Sequence, residues 1–153
     1  MRDYPHNVIV QERNAMDQLK ALPLGRQIIL GAGVLLFIDS LFHWQDYRGF
    51  GLNAWHGFWG VLMCLMLIVL VLWTAARAFR FQLPDQIPDG LTTLGLGVLI
   101  PVFAFIKAIS DSYTHWPAWI GVILGAAIAY GAWQVFAASG EKLPQMPARD
   151  TPA

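Results

Sequence analysis

Charge is scarce in this chain, and cysteine scarcer. Asp, Glu, Lys and Arg make up only 13% of its 153 residues, about half of the ~25% usual in a soluble domain. Ten basic residues balance ten acidic ones, so the formal net charge is zero and nucleic acid is not an expected partner. The single cysteine, Cys64, excludes an internal disulfide, a CxxC redox pair and a cysteine metal cluster. The quinone-linked disulfide-forming membrane enzymes are excluded with them. Also missing are a phosphate-binding glycine loop, a readable Ser-His-Asp arrangement, haem-type paired histidines within the apolar runs, and the HxE…PCxxC deaminase pattern. No cofactor and no enzymatic activity are expected.

What the chain has in abundance is apolar sequence: 56% of residues are hydrophobic, and the mean hydropathy is +0.48. Four apolar runs stand out, at about Gln27 to Trp44, Ala54 to Ala76, Leu91 to Ser110 and Pro117 to Ala138. Each is close to the ~20 residues an α-helix needs to cross ~30 Å of hydrocarbon. Four such runs leave too little polar sequence to coat a soluble particle. The pattern therefore predicts an all-α membrane protein with four transmembrane helices in an up-down bundle. The first run begins too late for a cleaved signal peptide, and Phe42-His43-Trp44-Gln45 is no small-x-small cleavage site, so the run reads as an uncleaved signal anchor.

Basic residues set the orientation. Arg2, Arg13, Lys20 and Arg26 precede the first run, Arg77 and Arg80 lie between the second and third, and Lys142 and Arg149 follow the fourth. Only Arg48 and Lys107 fall on the other side. The positive side is cytoplasmic, which places both termini in the cytoplasm and argues against dual topology. Trp44, Trp55, Trp59, Trp116 and Trp119 fall at outer ends of runs, Trp73 and Trp133 toward inner ends, as expected of indoles at headgroup level. The connections QDYRGFGLN, RAFRFQLPDQIPDG and DSYTHW are too short to hold a domain; Asp89 is a plausible N-cap for the third helix. Residues 1–26 are expected to be a cytoplasmic segment; Ala15, Met16, Leu19 and Leu22 fall at helical spacing, which fits either an interfacial helix or a short solvated helix or coil. Residues 139–153, rich in Pro and polar side chains, are expected to be a disordered tail.

Several residues invite chemistry. Asp39 interrupts an apolar run about five residues before Trp44, ~7 Å inward, where a carboxylate is costly unless paired, hydrated or protonated. Lys107 lies at similar depth near the outer end of the third run and is the expected partner in an intramembrane ion pair; snorkelling or a local pair with Asp111 are its alternatives. His43, His56 and His115, with Asp46 and Asp111, fall near the outer surface. They lack HxxxH or HxxE spacing, so no metal site is expected. Pro101 should kink the third helix by clashing with the carbonyl of Gly97. Gly121, Gly125 and Ala129, spaced by four, form a small-residue stripe for close helix packing, facing either the bundle or a second copy. Small multidrug exporters also have four helices but centre a glutamate in the first. Here the acid is an aspartate nearer the outer surface.

Leu41-Phe42-His43-Trp44, Asn53-Ala54-Trp55, Leu83-Pro84 in the basic inner loop and the Gly-rich last run with Trp133 carry a resemblance. Over about Gly25 to Ala138 the chain resembles a group of small four-helix membrane proteins of bacteria, chiefly actinobacteria. His43-Trp44 departs from the Pro-Trp common there. The resemblance implies four helices and a bacterial plasma membrane, and carries no activity. The expected role is an accessory subunit, scaffold or partner-binding bundle in the lipid bilayer, with a homo-oligomer or another membrane protein as partner. The alternative is an oligomeric transporter or channel component using Asp39 and Lys107. A third possibility is a metal or lipid-headgroup binder built on the outer histidines.

Overall fold

The computed structural model describes residues 17, 20–47, 49–79, 81, 87–110 and 114–143. Its elements run α1 (Leu24–Asp39), β1 (His43–Tyr47), β2 (Phe50–Asn53), α2 (Phe58–Ala78), α3 (Asp89–Ser110) and α4 (Trp116–Ser139). Three of these helices, α2, α3 and α4, are long and apolar enough to cross a membrane. With 21, 22 and 24 residues, they span ~32–36 Å at 1.5 Å per residue. Most of the segment with Ala15, Met16 and Leu19 lies outside the described residues, as do residues 144–153.

The first helix differs from the expected span. It has 16 residues and ends at Asp39, five short of Trp44, so it rises only ~24 Å. Leu41 N–H bonds to Ile38 O at 3.1 Å and Phe42 N–H to Asp39 O at 3.0 Å, turning the chain off the axis. The chain then forms an antiparallel hairpin, pairing Gln45 with Leu52, Asp46 with Gly51 and Tyr47 with Phe50. Gly49 sits in its turn at φ +84°, where a residue without Cβ is unstrained. The register breaks between His43 and Gln45. This bulge re-aims Trp44 out of the ladder, into the interior. Trp44, expected at headgroup level, is completely buried.

The other helix ends follow local chemistry. Pro117 occupies the first turn of α4, where its missing N–H costs nothing, and Gly140 closes the helix in the left-handed conformation at φ 70°. Helix α3 continues through Pro101.

Helix α4 packs most extensively, against α3 and then α1, while α2 packs on α3 and more sparingly on α1. Helices α1 and α3 therefore face each other across a diagonal. Small residues permit the close approaches. A Cβ on Gly25 would lie 2.7 Å from the carbonyl oxygen of Gly131, and one on Gly131 2.8 Å from that of Gly25. Between the helices, Ile29, Leu36, Met63, Cys64, Leu67, Leu70, Ile100, Ala104 and Ile128 form the core.

Candidate functional site

The polar side chains buried in the bundle are concentrated at one end. Asp39, Ser40, Gln45 and Lys107 all lie under the hairpin, whereas Thr74 and Thr93 are the buried polar residues elsewhere among those described. Trp44 is the centre of this cluster. Its indole N–H donates to the backbone oxygen of Asp39 at 3.0 Å, and its own carbonyl accepts from the His115 N–H at 2.9 Å. The Trp55 indole donates to Ser40 Oγ at 3.1 Å, Ser40 Oγ donates to Phe37 O at 2.6 Å, and Ala54 N–H donates to Ser40 O at 3.1 Å. Thr114 Oγ1 caps the Ala108 carbonyl at 2.7 Å. Two buried atoms, Asp39 Oδ2 and Gln45 Nε2, have no hydrogen-bond partner.

Among the ion pairs of the described residues, the expected pair of Asp39 with Lys107 does not appear. The Asp39 carboxyl turns toward α4, where a Cβ on Gly121 would lie 3.1 Å from Oδ2 and overlap the Trp44 ring. Lys107 turns toward the start of α2, and its Nζ donates to the backbone oxygen of His56 at 2.5 Å. The cause is the bundle's layout. The two residues belong to diagonal helices, and depth along the membrane normal says nothing about which helices are neighbours.

The small-residue stripe faces the bundle. Gly121 receives Trp44, and a Cβ on Gly125 would lie 3.0 Å from Pro101 Cα. Ala129 is half-buried, and its Cα lies 3.9 Å from the Cβ position of Gly97, which Ala132 fills. Gly97 and Pro101 thus mark where α4 presses against α3.

Of the three histidines, His43 and His115 share a cleft of about 450 Å³ with Asp46, Phe42 and Trp116. His115 Nε2 lies 3.0 Å from Asp46 Oδ2. His43 lies flat across Gly51, where a Cβ would collide with its ring. His56 lies apart and contributes its carbonyl to Lys107. Among the described residues no group of three His, Cys, Asp or Glu side chains is placed to hold a metal. The cleft offers an imidazole–carboxylate hydrogen bond beside a second imidazole, at a rim of exposed aromatics.

The opposite end holds a second polar cluster, which spacing along the chain does not reveal. Asp89 accepts from Arg26 Nη2 at 2.7 Å and from the Trp73 indole at 2.9 Å. The Arg77 guanidinium lies 3.6 Å away through Nε and 5.0 Å from the Trp73 ring centroid. Asp89 was expected to cap α3. That part falls to Glu141, whose carboxylate accepts from Gly90 N–H at 3.0 Å and Leu91 N–H at 2.8 Å. Glu141, expected in a disordered tail, is thereby tied to α3. The signal in the sequence is an acid at one helix start and basic residues at the adjoining ends of two others, Arg26 and Arg77, which also mark topology. No protein-family profile, curated protein or solved structure matches the chain.

Proposed function

We propose that the protein crosses a bacterial plasma membrane four times, with both termini in the cytoplasm, and serves there as a non-enzymatic scaffold or accessory subunit. Its partner in this reading is another membrane protein or a second copy, bound within the lipid bilayer. One observation carries the non-transporting role: the bundle interior under the hairpin is occupied by Trp44, wholly buried between α1 and α4. A path through a single chain would have to displace that indole.

Exposed apolar side chains support the membrane setting. Leu35 and Ile38 on α1, Val69 on α2, Phe105 on α3 and Ile123 on α4 all face outward. Helix α1 is short, but Leu41 and Phe42 continue its exposed apolar surface. Arg26 and Arg77 lie at the Asp89 end, consistent with that end facing the cytoplasm. A reporter active only outside the cytoplasm should be silent at Ala153 and active near residue 48 or 114. Activity at Ala153 sinks the four-span topology.

A second reading, an oligomeric transporter or channel component using Asp39 and Lys107, draws on the buried Asp39 oxygen without a partner. Proteoliposome flux measurements separate the two. No proton or cation flux is expected above protein-free vesicles; a flux abolished by Asp39→Asn favours the transporter.

A further inference from the structure

Of the bundle's four seams, α1 and α2 pack on each other most sparingly, and the shape and charge of that seam point to an occupant. We propose that it binds one acyl chain of an anionic phospholipid, whose phosphate is held by Lys20. The inference rests on the membrane reading above.

The seam contains a groove of about 640 Å³ walled by Leu30, Gly31, Val34, Leu35, Ala75 and Phe79, with Lys20 and Gln27 also lining it. A smaller hollow of about 190 Å³ shares Val34 and extends the seam to Gly33 and Phe37. From Leu24 to Phe37 the helix rises ~20 Å, enough to accompany a chain through one leaflet of a ~30 Å core. The groove follows from helix packing. Gly25 and Gly131 draw α1 against α4, and Gly33 touches α2, where a Cβ would lie 2.7 Å from Val71 Cγ2. Two residues earlier, a Cβ on Gly31 meets nothing within 4 Å. The result is a concave apolar channel. Its charge is complementary to an anionic headgroup. Lys20 is exposed beside the apolar walls, and a lysine at the surface of an anionic leaflet favours binding about fivefold.

The test is native mass spectrometry of the full chain in mild detergent, with phosphatidylglycerol and phosphatidylcholine of matched chains. The wild type should retain phosphatidylglycerol about fivefold better, and Lys20→Gln should level the two. Gly31→Trp should lose both lipids. Gly95→Trp, a matched control at another glycine whose Cβ position meets open space, should keep them. Equal retention of the two lipids by wild type overturns the proposal, as does unchanged binding by Gly31→Trp. A lipid-free dimer that Gly31→Trp splits assigns the groove to a second copy and overturns it too. If Gly31→Trp does not fold, Lys20→Gln decides, because Lys20 is exposed and its change affects headgroup preference alone. Release of wild type from membranes by alkaline carbonate removes the membrane reading itself; a retained chain without lipid preference removes only this proposal.

Discussion

The two ends of the bundle are held together by different means. At the Asp89 end the charges are partly exposed and bonded: Arg26 from α1 and Trp73 from α2 converge on Asp89 of α3, while Glu141 ties the chain beyond α4 to α3. At the hairpin end the polar groups are deeper. The buried contacts described there include indole N–H groups, a hydroxyl and backbone carbonyls, while the His115–Asp46 contact lies at the exposed rim. An ion pair is retained cheaply where water screens and solvates its members, whereas in a dry interior the desolvation cost can exceed the attraction. The hairpin end therefore depends on the volume of Trp44 and on backbone hydrogen bonds. The partnerless Asp39 Oδ2 and Gln45 Nε2 are costs that this packing has to offset.

The largest effect should come from Trp44→Ala. Truncating a fully buried aromatic costs about 3–5 kcal/mol, to be read from thermal unfolding in detergent. Trp116→Ala, at an exposed rim position, should cost far less; equal losses would erase the distinction between the buried indole and the rim. Next is Gly125→Leu, which drives a side chain into Pro101 and should cost about 1–3 kcal/mol or more. Ala126→Leu, on the exposed side, should stay within about 0.5 kcal/mol. The reverse ranking would mean that α4 presents the other face to the bundle.

Asp89→Asn comes third, at about 2 kcal/mol, because it weakens hydrogen bonds made to a charged acceptor. Salt sharpens the contrast here: raising ionic strength should shrink the Asp89 effect and leave the Trp44 effect unchanged. A double-mutant cycle of Asp39→Asn with Lys107→Met should be additive within about 0.5 kcal/mol; a larger coupling restores the ion pair. The smallest effect belongs to His115→Gln, whose exposed contact with Asp46 contributes on the order of 0.5 kcal/mol. A loss of several kcal/mol would make that contact a main tie of the hairpin.

The helices were legible because long apolar runs bounded by charge have few other uses. The ends of α3 and α4 came within a residue or two of expectation. The hairpin was not legible. Phe42-His43-Trp44 continues an apolar run, and hydropathy does not distinguish a side chain facing lipid from one facing protein. A tryptophan at the end of such a run has the signature of an anchor at the membrane surface for that reason. The spacing of Gly121 and Gly125 marks them as packing residues, but their partners, Trp44 and Pro101, are distant in sequence. Gly25 and Gly131, which bring two backbones into contact, have no such spacing to mark them.

Hydropathy and the placement of Lys and Arg, both properties of residues taken in order along the chain, determined by themselves the helical class, the number of apolar segments and the expected orientation. Which helices are neighbours was decided only by the tertiary structure, because glycine contacts such as Gly25 with Gly131 let α1 and α3 each close on α4 and set those two across a diagonal. That layout separates Asp39 from Lys107, joins Arg26 to Asp89 and leaves the seam beside Gly31 open, and none of the three is encoded in the depth or spacing of the residues concerned.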